Sequence, residues 1–592
     1  MTEGHTKRQE PNQFVNSIVE EINDIIIDNI DTYKNPEKLE AIIGNSLPLE
    51  KRGSNKVSSV VQEVASVNGV SVLVGYLSHG LDKKVKNVPG VRNVEPDRRL
   101  NLKHPYDEIK IKNKKFKRYD DFDYDDDDDD YRTDNNVDIE AIKEETGWDG
   151  VEIRNNTYLH LSLLSQGKYE EYLIERYDKN YYYPKSAGEG IDVFVLDADF
   201  NFNQSEYANV DEREVKCLGI FRNGTLTKAD NYASPESPHG EIVSDAIGGL
   251  KHGVASKANI YGMAIEFDQV DDEITSISKI SFIKTLEYIR KNIKMKPHKT
   301  VLNISLGQYF SVEEDAESIN FIEENFKKFN EMGIVVVVAS GNDKNPVRAE
   351  FDGKKYVSLP CASEHVICVG GIDNYENYIR APFSNYGDEV DILAPGLAHL
   401  KYIDEDGSDH ESVFIGTSFA SPIVAGVAAL IMSEHPEIEF NSTSMAAYLA
   451  ENGLNDVIED ARGPNVFVNN GKKSLYLHPE IDYDDTFFTD GDNNYTDGEF
   501  YYTTFTTEEI ATFYDYEEET SGIVNEEPSI EIGDLPNINN KAIYNYDDKN
   551  TEEISEYITK YVTEDVTEDV TEDVSVDIPG ELSDKESDSD NE

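Results

Sequence analysis

In FIGTSFASPIVAGVAALIMS (residues 414–433) a Gly-Thr turn delivers Ser418 to the start of an apolar helical pattern, with Pro422 tolerated in its first turn. A hydroxyl there projects from the turn, and the free N–H groups and dipole of the helix start can stabilise a developing oxyanion. The bland alternative is an N-cap serine on a buried helix. A nucleophilic serine needs a base, and SPHGEIVSDAIGGLKHGVASKANI (237–260) supplies His239 at the head of a second helical pattern. An imidazole that takes the serine proton becomes cationic, so a carboxylate must hold its tautomer and stabilise the charge. Asp197 qualifies because it closes the run DVFVLD (192–197), although an Asp at that place is also an ordinary strand-end turn residue.

The elements that must position these groups are short β-branched runs alternating with helical patterns. The runs are DVFVLD, ANIYGMAI (258–265), TVLNISLG (300–307), IVVVVASGN (334–342) and HVICVGG (365–371). Alternation of this kind predicts an α/β domain with a central, mostly parallel sheet covered by helices. Before IVVVVASGN, Ile319, Ile322, Phe326 and Phe329 fall on one helical face, and Gly333 is placed to end that helix in a left-handed turn.

Length and charge bound the rest. The 592 residues exceed one core, and 118 acidic against 55 basic side chains give a formal charge of -63. Such a chain is a poor fit to phosphate backbones or anionic lipid, so neither nucleic acid nor membrane is an expected partner. Residues 481–592 hold 35 Asp/Glu and 4 Lys, a net of -31, which leaves -32 for the preceding 480. This tail, with three tandem VTED units at 562–573, is expected to be mostly disordered. The run FKRYDDFDYDDDDDDYRTDNN (116–136) reads as a self-repelling linker; it lacks the Gly and the spaced ligands of a calcium loop. The three cysteines fit no four-ligand zinc site. Cys361 and Cys368 either pair across ASEHVI, leaving Cys217 free, or all three remain reduced in the core. No apolar run approaches the roughly 20 residues that span a bilayer, and MTEGHTKRQEPNQF is unlike a signal peptide.

Taken together, GTSFASP, HGEIVSDAIGG, YYYPKSAGEGIDVFVLDADF (181–200), GVASKANIYGMAI (253–265), VVVVASGN (335–342) and FSNYGDEVDILAPG (383–396) resemble the subtilisin-like serine proteases, in the branch with proteinase K and cerevisin. The resemblance covers about 155–475 and reproduces the family's chain order with Asp197, His239 and Ser418. It implies a three-layer α/β fold and a serine endopeptidase. It also implies Asn342 as side-chain oxyanion donor beside the Ser418 N–H, and Ser305, Leu306, Gly307, Ala339, Ser340 and Gly341 as the segments flanking the primary specificity pocket. Catalysis of that kind needs no cofactor. Relatives bind structural calcium, but no ligand is assigned here. The family's Thr and His after His-Gly are Glu241 and Ile242, and its Asp-Thr-Gly is Asp197-Ala198-Asp199. Asp199 and Glu241 are therefore expected to raise the proton affinity of the site and to shift the pH at which His239 is a free base.

The expected organisation is an N-terminal part of a propeptide at 1–54 and an inhibitor-like α/β unit at 55–103 that resembles the family's propeptide. An acidic linker at 104–154, the catalytic domain at 155–477 and the acidic tail at 478–592 follow. The segment VPGVRNVEPDRR (88–99) corresponds to the part a propeptide leaves along the substrate cleft, while the first strand of that unit is not evident, so a longer N-terminus is expected. The dibasic pairs Lys51-Arg52 and Lys117-Arg118 are candidate processing sites. A monomeric, secreted or vacuolar enzyme is the resulting expectation, acting on polypeptides and held by its own propeptide. The rival is a catalytically degenerate relative that only binds, or an acidic scaffold that works through its tail. Sequons at Asn155, Asn203, Asn223, Asn441 and Asn494 would be used on the secretory route, and Asn303 lies in a run read as buried.

Overall fold

A strand that reads Ile-Val-Val-Val-Val-Ala has no polar face to turn toward water, so Ile334–Ala339 must lie inside a sheet covered on both sides. In the computed structural model all six residues are buried. The structure describes residues 11–34, 60–103 except 79, 137–476 except 169–176, 231–237, 270–273, 376–377 and 404–408, and 571–577. The Asp run, both dibasic pairs and Asn494 lie outside these residues. The chain divides into two units, 98–506 and 1–97 with 507–592.

In the first of these the sheet has eleven strands among the described residues, ten along one path and Ile379–Arg380 paired antiparallel with Ile367–Asp373 beside it. From edge to edge its path runs through Leu454–Asn455, Val466–Phe467, Ile392–Pro395, Ile367–Asp373, Ile334–Ala339, Thr300–Ile304, Asp192–Asp197, Asn259–Ile265, Val215–Arg222 and Thr225–Thr227. Every neighbour pair from Val215–Arg222 to Val466–Phe467 is parallel, and short antiparallel hairpins close the two edges. The order reverses at Asp192–Asp197: the chain first fills one side, laying down 215–222 and then 259–265 between it and 192–197, and afterwards builds to the other side through 300–304 onward. A reversal of that kind opens a crevice beyond the carboxyl ends of the strands, which is where Asp197 sits.

Two helices fix the chemistry above that crevice. The helix Thr417–Glu434 is buried from Thr417 to Met432, packs on the strands 300–304, 334–339 and 367–373, and touches the helix His239–Gly248. Ile423, Val424, Val427 and Leu430 each add roughly 1.5–3 kcal/mol of apolar burial, so the start of this helix is held by its whole length. The helix Ala316–Glu331 buries Ile322, Phe326 and Phe329 as expected, with Ile319 only half-buried, and Gly333 follows at φ +72°.

Folded structure begins earlier than residue 155. The helix Ile139–Thr146 and the strand Val151–Arg154, paired with Tyr181–Pro184, gather Ile142, Trp148 and Tyr182 into a small cluster, so the expected linker ends before residue 137. Cys361 and Cys368 are disulfide-bonded, and Cys217 keeps a buried thiol that donates to the Gly219 carbonyl at 3.7 Å. Peptide mapping without reduction should recover a bridged pair of peptides carrying Cys361 and Cys368, with Cys217 alone alkylated after unfolding. Asn303 is fully buried, which leaves Asn155, Asn203 and Asn223 as exposed sequons among the described residues.

In the other unit the strand missing from the sequence reading is Val61–Val67. It meets Val70–Tyr76 through a two-residue turn, Asn68-Gly69, with both φ values positive as a type I′ hairpin demands. The helix Pro11–Asp28 repeats apolar residues at Val15, Ile18, Ile22 and Ile26 and packs them into one core with Val61, Leu73, Leu77, Val85 and Val88. The sheet order is 61–67, 70–76, 571–577, 91–96, all antiparallel. The tail thus contributes a strand, Thr571–Asp577, contrary to the expectation of disorder at that place. Its TEDVSVD sequence alternates strongly enough to pair along seven residues with Val70–Tyr76. VRNVEP is the edge strand of this sheet.

Candidate active site

Strand ends and helix starts converge on one place. Asp197 ends its strand, His239 opens its helix, and Ser418 is the second residue of the helix Thr417–Glu434. All three are buried, Ser418 being 6% exposed. Asp197 Oδ1 lies 2.6 Å from His239 Nδ1 and accepts the Ala198 N–H at 2.7 Å, so one oxygen orients the ring and is itself held by the turn. That contact places a proton on Nδ1 and leaves Nε2 as the basic nitrogen. The His239 ring lies 5.6 Å between centroids from Phe419, the residue after Ser418. Gly240 is required beside it: a Cβ there would come within 2.3 Å of the Asp199 carbonyl oxygen.

The proline of the Ser418 helix has a consequence that composition hides. Pro422 is the sixth helical residue, beyond the first turn where it was expected, and it has no N–H to give the Ser418 carbonyl. Ser305 supplies the missing donor: its hydroxyl donates to Ser418 O at 3.0 Å, lies 3.0 Å from Ser421 Oγ, and accepts from Asn303 Nδ2 at 3.0 Å. The Ser418 hydroxyl donates to the Ser305 carbonyl at 3.5 Å, so nucleophile and strand end are tied in both directions. The side chain of Ser305 is thereby committed to Ser418, and only its backbone remains to face a substrate. Leu306 and Gly307 are half-buried and follow it directly.

Asn342 is aimed by Thr417. Its Oδ1 accepts from both the Thr417 N–H at 2.9 Å and the Thr417 hydroxyl at 3.0 Å, which leaves its amide NH₂ as the outward donor. The Thr417 hydroxyl in turn accepts from the Gly341 N–H at 3.1 Å. Ala339 and Ser340 are buried and Gly341 half-buried; Asn385 holds this loop by donating to the Ser340 carbonyl and accepting from the Asp343 and Asn345 N–H groups. Asn385 was inside a quoted motif, but nothing in its spacing betrayed the role. Ser418, near the helix start, has an N–H without an intrahelical acceptor, a second donor beside Asn342.

Glu241 is buried, and its Oε1 accepts from Gln204 Nε2 at 2.8 Å and from the Ile403 N–H at 3.0 Å. Asp245, four residues on, accepts the Lys401 N–H at 2.8 Å. Four residues of helix rise about 6 Å, and two of strand about 6.7 Å, so carboxylates at i and i+4 match alternate N–H groups along Leu397–Ile403. That strand pairs with Asp409–Ile415, which runs into Ser418. The acids of HGEIVSD therefore dock the hairpin onto the His239 helix, a task that spacing against the family pattern did not reveal. Asp199 is likewise buried beside the triad.

Residues 188–472 match a protein family described as the Subtilase family, Peptidase S8. Curated relatives include "Subtilisin-like protease 2" of Arthroderma otae (strain ATCC MYA-4605 / CBS 113480), 34% identical over 297 residues, 49% of this chain and 61% of that protein. The protein of the same name from Trichophyton equinum is 34% identical with the same coverage, so this chain spans about 61% of the length of these relatives. Among solved structures, a cold-adapted subtilisin-like serine proteinase aligns at TM-score 0.41 and 23% identity, over 53% of this chain and 98% of that one. The nisin leader peptidase NisP from Lactococcus lactis aligns at 0.37 and 20%, over 48% and 86%. Scores below 0.5 add nothing to the family match.

Proposed function

We propose, from the match of residues 188–472 to the subtilase family, that the protein is a serine endopeptidase made as a zymogen. The observation that carries the proposal is the buried 2.6 Å Asp197–His239 couple at the head of the helix that presents Ser418. Ser418 Oγ attacks the scissile carbonyl carbon as its proton passes to His239 Nε2, and Asp197 stabilises the imidazolium through Nδ1–H. The carbonyl oxygen becomes an oxyanion met by the Asn342 amide and the Ser418 N–H. Collapse expels the amine with the proton returned by His239, and water repeats the sequence on the acyl-enzyme. The chain's own residues complete each step without a cofactor.

Substrate joins such a site as an extended strand between segments that offer free backbone groups. The reading of a self-inhibited precursor is supported by Arg99–Lys103, which pairs antiparallel with Ile274–Ser278 over five residues and packs against Gln308–Ser311, immediately beyond Ser305, Leu306 and Gly307. Arg98 pins that strand by ion pairs to Glu314 and Asp315, and its carbonyl accepts the Lys279 N–H at 3.0 Å. On this reading the inhibitory strand is 99–103, at and beyond the end of the 88–99 segment expected for it. The Cys361–Cys368 bond and the exposed sequons support passage through an oxidising, secretory compartment, and polypeptides are the substrates. Full-length wild-type chain, purified and incubated, should cut itself between residues 104 and 136, and the Ser418→Ala chain should stay whole. Equal cleavage of both would place the processing with another protease and remove the support for self-release.

A further inference from the structure

We propose that Glu206, Asp245 and His252 form a binding site for one divalent ion of the zinc class, separate from the triad. The three residues come from different pieces of chain: the turn Ser205–Tyr207, the middle of the His239 helix, and the turn that follows that helix. Asp245 and His252 have fully buried side chains and Glu206 nearly so. One ligand atom from each lies within 4.8 Å of the others.

The distances leave room for an ion among the three side chains. His252 Nδ1 is 2.9 Å from Asp245 Oδ2 and 3.7 Å from Glu206 Oε2. Those values bracket the edge of about 3.3 Å between ligands in a tetrahedral site with bonds of about 2.0–2.1 Å. Although carboxylate oxygens lie 2.9 Å from its Nδ1 and 3.2 Å from its Nε2, neither ring nitrogen of His252 is aligned for a hydrogen bond, and Asp245 Oδ1 has no hydrogen-bond partner among the described residues. Each carboxylate is also oriented from behind: Glu206 Oε2 accepts the Lys251 N–H at 2.7 Å and Asp245 Oδ2 the Lys401 N–H at 2.8 Å. Gly249 leaves the room for this, since a Cβ there would lie 1.8 Å from Asp245 Oδ1.

The outer face of the histidine is arranged as metal-binding imidazoles usually are. Its Nε2 is 3.2 Å from Glu411 Oε1, and Glu411 is held by His399 Nε2 at 3.1 Å, Lys251 Nζ at 3.2 Å and the Tyr158 hydroxyl. One imidazole nitrogen with two carboxylate oxygens is a donor set for zinc, with a fourth position left to water. Two buried carboxylates face one imidazole, and a divalent ion between them would neutralise the pair of negative charges. An ion here would tie the His239 helix to the turn after Asp197 and, through Lys401 and Glu411, to the hairpin that leads to Ser418.

The test uses the full chain loaded with zinc chloride and dialysed, with metal content read by elemental mass spectrometry and thermal unfolding followed with and without a strong chelator. The expected result is one zinc retained per chain, a melting temperature that falls on chelation and returns with zinc, and retention unchanged in His239→Ala. His252→Asn should lose the ion at least tenfold more readily, and so should Glu206→Gln, which keeps shape and volume should the first variant fail to fold. Trace zinc in the wild type, equal retention in folded Glu206→Gln, or nitrogen NMR showing His252 doubly protonated with zinc in excess would each overturn the site.

Discussion

Asp197→Asn is expected to lower kcat/KM on a small peptide by roughly 10⁴-fold while leaving the fold in place. The argument is one of tautomers. Asp197 Oδ1 accepts from His239 Nδ1 at 2.6 Å and from the Ala198 N–H at 2.7 Å. Because one oxygen serves both donors, an Asn carbonyl in its place has no charge to stabilise the imidazolium, and an Asn NH₂ there obliges the ring to meet it with a lone pair and carry its proton on Nε2. In that second case Nε2, the nitrogen that takes the Ser418 proton in the proposed mechanism, is a donor and unable to do so. Steady-state kinetics with a melting curve on the same preparation check this. A loss below tenfold in a folded variant would mean that His239 is not the base.

Asn342→Leu is expected to cost 10²–10³-fold in kcat, near 3 kcal/mol, with KM little changed, because the lost donor meets charge that exists only in the transition state. Leu also strips two hydrogen bonds from Thr417, so some stability goes with it, about 1 kcal/mol for each. Thr417→Val separates the two effects: it keeps the amide but removes one of its anchors and the acceptor for the Gly341 N–H. A fall of about tenfold in kcat there, with KM steady, would show that Thr417 works by aiming Asn342. An equal rise in KM for both variants would instead make Asn342 a ground-state substrate contact.

What was readable in the chain follows from which interactions are local. The buried strands announce themselves because a parallel sheet covered on both faces leaves only apolar letters, and Asp192–Asp197 and Ile334–Ala339 lie where their runs predicted. The pairing of Asp197 with His239 and the place of Ser418 at a helix start agree with what motif and chain order suggested. The aiming of Asn342 by Thr417 and the donor that Ser305 gives in place of the Pro422 N–H were not legible, since they join residues 75 and 113 positions apart. Glu241 looked like an extra carboxylate near a catalytic base, and Asp245 drew no reading, for the same reason; both accept from backbone N–H groups more than 150 residues away. The hairpin Val61–Tyr76 was missed although Asn68-Gly69 marks it plainly, and the strand Thr571–Asp577 was hidden by a composition that elsewhere argues against order.

The central claim is that Ser418 is an activated nucleophile, and covalent labelling tests it without any assumption about substrate. Purified, processed protein treated with a serine-directed fluorophosphonate should gain one adduct, mapped by tandem mass spectrometry to the peptide containing Ser418. The adduct should be absent from Ser418→Ala and His239→Ala and formed much more slowly by Asn342→Leu. Folded, processed wild-type protein that stays unlabelled, or that is labelled elsewhere while Ser418 remains free, would contradict the account.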